Sequence, residues 1–106
     1  MVRVDVRIKH AAAQELKKYE YNENEGVRIE AVFVGSCSIY AEHYLKIDEE
    51  HEDDDCFGIE GIPVLVSKES QKHLHNRITL DFNSTMGFKL SSDEEVYRYN
   101  LKLERV

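Results

Sequence analysis

Val2, Val4, Val6 and Ile8 alternate with Arg3, Asp5, Arg7 and Lys9, the period-two pattern of a strand with one buried face. Ile8, Ala12, Leu16 and Tyr19 then fall at helical spacing in an alanine-rich stretch, which predicts a short amphipathic helix from His10 to about Tyr19. The polar segment EYNENEG, Glu20 to Gly26, stops it. Val27, Ile29, Ala31 and Phe33 share one face, and beyond a break at Gly35 so do Ile39, Ala41, His43, Leu45 and Ile47. These are two strands with Cys37 at their junction. Phe57 to Val66 reads as extended chain, and Ser67 is placed to cap a second short helix in SKESQKHL. Ile78, Leu80 and Phe82 form a further strand, and Phe88 to Leu90 with Val96 to Leu103 complete the set.

Strands predominate, and their irregular spacing leaves no room for the helix after nearly every strand that a Rossmann-like series needs. The predicted fold is mainly β, a mixed-strand sandwich or pseudobarrel with two short helices. At 106 residues the chain is expected to be one domain, 1–106, able to bury a modest core. Its 42% hydrophobic and 33% charged residues fit an ordinary globular composition.

Charge adds one feature. The run DEEHEDDD, Asp48 to Asp55, holds seven carboxylates and no lysine or arginine; removing those seven from the 21 acids leaves as many acids as the 14 bases. With no long basic tract, the electrostatic footprint of nucleic-acid binding is missing, and no nucleic-acid partner is expected. The run also fails the EF-hand pattern, since counting from Asp48 the sixth position is Asp53 instead of glycine and the twelfth is Ile59 instead of glutamate. It reads as a solvated connection between two strands, one that could be excised without loss of the fold.

The opening alternation lacks the apolar core of a signal peptide and the length of a membrane span, so a cytoplasmic protein without membrane association is expected. Cys37 and Cys56 then read as reduced thiols. Cys56 follows the carboxylates directly, an environment that disfavours thiolate, and is expected to be inert. His43 alternates onto an apolar face, as a satisfied core histidine would. His73 and His75, two apart at a helix end, point away from each other and make no chelate. Tyr97 and Tyr99 read as one face of a terminal strand. No acid-base or nucleophile constellation stands out, and a non-enzymatic role is expected.

Several pieces in order resemble the HesB-like family, whose best-known members are the A-type iron-sulfur cluster carriers. The opening strand and helix, VGSCSIYAEHYLKID, IEGIPVLVSKESQKHL and ITLDFNSTMGFKL match it by order and spacing over nearly the whole chain. The resemblance implies a HesB-like core domain, a role in iron-sulfur cluster biosynthesis or iron handling, protein partners among the assembly machinery, and iron or an iron-sulfur cluster as the group handled. Of the carriers' cysteines only the first has a counterpart, Cys37, the one candidate metal ligand carried over. The C-terminal Cys-Gly-Cys-Gly would fall near Tyr99 and Leu101, and the glycines beside the first cysteine are replaced by Ser36 and Ile39. Cys37 is thus either a ligand or a small thiol at a bend, and the isolated chain is expected to lack a stable cluster. A protein-interaction or ligand-binding module that kept the scaffold and lost the cluster is the alternative from a different class.

Overall fold

A computed structural model of the chain describes residues 4–33 and 41–106. The first strand, β1 (Asp5–Ile8), buries Val6 and Ile8 and exposes Asp5 and Arg7, as their alternation predicts. Helix α1 (His10–Leu16) follows and ends a turn earlier than the spacing suggests, burying Ala12, Ala13 and Leu16. Next come β2 (Glu25–Phe33) and β3 (Ala41–Glu49), paired antiparallel along their full length from Glu25↔Glu49 to Phe33↔Ala41. The extended run after the acidic stretch is a hairpin of β4 (Asp54–Ile59) and β5 (Ile62–Ser67). Its two turn residues, Glu60 and Gly61, sit at φ +51° and +80°, the mirror-type turn whose twist matches paired strands.

Ser67 caps α2 (Lys68–Gln71) as predicted, its Oγ accepting the Ser70 N–H at 3.0 Å. The helix is shorter than SKESQKHL, and His73 and His75 lie in the turn beyond it. Then β6 (Arg77–Asn83), β7 (Gly87–Ser92), β8 (Val96–Leu101) and β9 (Leu103–Arg105) close the chain. The alternation over Val96 to Leu103 hides a break. Asn100 adopts φ +56°, a region asparagine tolerates, and only Lys102 separates β8 from β9, which lie in different sheets.

The described strands form two mixed sheets, one ordered β1-β6-β7-β8 and the other β4-β5-β2-β3-β9. Val6, Ile8, Ile78, Leu80, Phe88 and Leu90 of the first share one core with Val27, Ile29, Leu45, Ile62, Val64 and Val66 of the second. The sandwich form of the predicted fold is the one built, because neither sheet closes on itself. One close approach fixes its tightness. A Cβ on Gly26 would lie 2.7 Å from the Pro63 carbonyl oxygen, so the glycine lets β2 come up against β5.

The acidic run is the solvated connection expected only in its middle, where residues 49–53 are exposed between two strands; its ends are built into the fold. Asp48 and Glu49 end β3, Asp54 and Asp55 begin β4, and the Asp54 side chain is fully buried. It grips the buried Arg28 guanidinium with both oxygens, Nη1 to Oδ1 and Nη2 to Oδ2 at 2.6 Å each. Arg28 also donates to Asp48 Oδ2 at 3.0 Å and to the Glu49 carbonyl at 2.8 Å. A guanidinium taken out of water needs partners of this kind, and the run supplies them. Excising Asp48 to Asp55 would orphan that charge.

Candidate functional site

Cys37, the candidate ligand, lies outside the described residues. The strands on either side of its segment are described. Segment 34–40 joins β2 to β3, whose last ladder pairs before it are Ala31↔His43, Val32↔Glu42 and Phe33↔Ala41. His43 is therefore the third residue of β3 after that link.

The alternation His43, Leu45, Ile47 points all three into the interior, and His43 is 6% exposed. The expectation of a satisfied core histidine needs correction: among the described residues its Nε2 is buried with no hydrogen-bond partner. Its ring stacks on Tyr97, centroids 4.7 Å apart and planes inclined by 27°. Arg98 anchors the same residue from the backbone side, donating from Nη1 to the His43 carbonyl at 3.0 Å. Burial is the main influence on the imidazole, and with the charges of Arg98 and His73 it outweighs the acidic pull of Glu42 and Glu95, lowering the pKa below its ordinary value. The ring is neutral at neutral pH, the form that binds metals.

Tyr97 continues the column. Its other stacking partner is His75, at 5.9 Å and 20°, and its hydroxyl oxygen accepts the His75 backbone N–H at 2.7 Å. His75 in turn lies between Glu94, 3.5 Å from Nδ1, and Glu95, 3.2 Å from Nε2. Sequence reasoning placed these residues on separate elements and could not bring them together, since β3, β8 and the turn after α2 meet only on folding. Two apart in sequence, His73 and His75 do diverge. His73 lines a neighbouring cavity, whereas His75 packs on Tyr97.

That cavity, about 400 Å³, opens where strand pairing stops. β5 pairs with β2 only at Val27↔Val64 and Arg28↔Leu65, after which the Ser67 cap turns the chain into α2. From Ile29 onward that edge of β2 faces the helix, and Ser70 Oγ accepts the Ala31 N–H at 3.1 Å. Arg28, Glu30, Ala31, His51, Ser70 and His73 are among the residues that line it. The Arg28 clamp was also illegible in the sequence. Its one signal is that seven adjacent carboxylates call for a cation, and nothing local says which.

Among the described residues no three histidine, cysteine or carboxylate side chains converge to hold a metal ion. What they offer is one orphaned, buried imidazole nitrogen, on the strand that follows segment 34–40 in the sequence. With no second donor converging on it among the described residues, that nitrogen makes no metal centre, least of all a four-thiolate cage. The exposed Cys56 lies on β4, paired across to Leu65, on the strand that begins with the Arg28 clamp. Leu101, near which the carriers' C-terminal motif would fall, is a buried core residue, and Tyr99 is 49% exposed. Among the described residues no helix is long and apolar enough to cross a membrane.

Two solved structures share the fold. A protein assigned to Fe-S biosynthesis from Lactobacillus acidophilus matches with a TM-score of 0.68 at 16% identity, covering 96% of this chain and 90% of its own. A second, from Lactobacillus salivarius and described as having a novel fold, matches with a TM-score of 0.70 at 14% identity, covering 96% of this chain and 98% of its own. No curated protein matches the sequence. The model of the family described as iron-sulphur cluster biosynthesis matches residues 4–105, nearly the whole chain, and the chain belongs to that family.

Proposed function

We propose that this chain is a non-enzymatic accessory of iron-sulfur cluster biosynthesis, handling iron or clusters in transit between protein partners of the assembly machinery in the cytoplasm. The observation that carries the reading is the family match over residues 4–105. Cys37 is the residue proposed to touch the metal, because it alone corresponds to a cysteine of the carriers' motif. One thiolate per chain holds iron weakly, which suits exchange better than storage.

The test is anaerobic. Fe²⁺ binding measured at equilibrium should be stronger for the parent than for Cys37→Ser, while reconstitution with iron and sulfide followed by desalting should leave no stoichiometric cluster on either. Equal equilibrium binding by parent and mutant would overturn the role of Cys37. It would also favour a second reading, an interaction module that has lost the metal. One observation speaks for that alternative: the carriers' C-terminal cysteines would fall near Tyr99 and Leu101, and Leu101 is committed to the core.

A further inference from the structure

We infer that His43 is an acid-sensitive latch between the two sheets: the neutral ring holds β8 against β3, and its protonation releases β8. Three features of the seam carry this. The first is how little else closes it. β9 joins β3 only from Leu45 onward, so at His43 the side of β3 away from β2 has no ladder partner among the described residues. The described contacts that cross to β8 at this level are the stack of His43 on Tyr97 and the bond from Arg98 to the His43 carbonyl.

The second is that β8 is loosely seated. Its ladder with β7 shifts register twice, between Phe88 and Leu90 and between Leu90 and Ser91, and near its end Asn100 takes φ +56°. A strand paired this irregularly separates more easily than the unbroken β2–β3 ladder.

The third is what a proton would meet. The neutral ring already leaves Nε2 without a partner at 6% exposure, and the imidazolium adds a second N–H and a charge to the same interior. Its surroundings do not compensate. Arg98 from β8 and His73 from the turn after α2 oppose a cation there. Glu42 on β3 and Glu95 just before β8 favour one, but Glu42 lies 3.4 Å from Arg98 and Glu95 lies 3.2 Å from His75. Tyr97 brings no charge in acid, and His75 on its far face sits between Glu94 and Glu95. From β2 the facing ladder residue is Ala31. Burial, then Arg98 and His73, keep the folded-state pKa below the ordinary 6.5, so an opened form takes the proton first. The closed form's advantage is complete above that value. It falls as pH drops from there toward the folded-state pKa, by at most about tenfold in the closed-to-open ratio per pH unit.

Amide hydrogen exchange on the whole chain, corrected for the intrinsic effect of pH, is the test. Between about pH 7.5 and about pH 5.5, protection of the β8 amides should fall by roughly threefold or more while far-UV circular dichroism shows the chain still folded. At both values these amides should be less protected than those of the central β2–β3 ladder. His43→Phe, which can stack on Tyr97 but takes no proton, should abolish the fall. Unchanged β8 protection in the parent, or an equal fall in His43→Phe, would overturn the latch. So would β8 protection equal to that of the β2–β3 ladder, since the whole chain would then open at once. Should the variant fail to fold, the parent decides: loss of β8 protection must follow the titration of the His43 ring signals in the NMR spectrum, and a different midpoint refutes the inference.

Discussion

Asp54→Ala tests the buried clamp that the acidic run forms around Arg28. The substitution removes two hydrogen bonds to the guanidinium and the acceptor of the His51 backbone N–H, each 2.6 Å long. Breaking a buried ion pair by deleting one partner costs about 3–5 kcal/mol, because the remaining charge stays buried. Asp48 and the Glu49 carbonyl still hold Arg28, so the lower end applies, about 3 kcal/mol. At about 4 °C per kcal/mol for a domain of this size, Tm should fall by about 12 °C. Urea unfolding followed by circular dichroism measures the loss directly. The double variant Arg28→Met with Asp54→Leu should regain most of it, since no charge is then left unpaired. Acid supplies a second readout. Burial raises the Asp54 pKa, but the Arg28 hydrogen bonds, the His51 N–H and the Arg28 charge together bring it below the ordinary 3.8. The stability it contributes is present above that value and is lost as pH falls through the lower, folded-state pKa. A loss under about 1 kcal/mol would show that the pair behaves as an exposed ion pair and refute the clamp.

Other substitutions probe the scaffold. Gly26→Ala should destabilise by about 1–3 kcal/mol, read by the same urea titration, because its Cβ would meet the Pro63 backbone oxygen at 2.7 Å; unchanged stability would mean that β2 and β5 separate easily. Glu60→Asn should stabilise by about 0.5–1 kcal/mol, as asparagine tolerates the positive φ that glutamate holds at the β4–β5 turn, and a lower Tm would contradict the turn geometry. Tyr21 donates its hydroxyl proton to the Leu16 carbonyl at 2.7 Å, and burial, with a contribution from Tyr19, pushes its pKa up to about 12 against the lowering charge of Arg105. The folded state keeps this proton above pH 10 where the unfolded chain releases it, so stability should fall as pH rises from 10 to 12. Tyr21→Phe should flatten that alkaline decline, and an unchanged pH profile would count against the buried phenol.

The sequence by itself determined most of the elements, because burial of one face writes its period directly into the chain. Val6 and Ile8, Val27 to Ala31, and Leu45 with Ile47 all turned inward as their alternation required, and Ser67 capped its helix through a bond made three residues away. The family was legible too, through the order of short segments, none specific alone. Only the tertiary structure decided what depends on distant partners. Asp54 reads as one more carboxylate in a solvated run until Arg28, 26 residues earlier, is folded against it. His43 reads as an ordinary inward residue until the interior around it proves to hold Tyr97 but, among the described residues, no partner for Nε2. Local pattern records which way a side chain faces; which groups meet there, and which are left without a partner, is set by long-range packing that no window of the sequence contains.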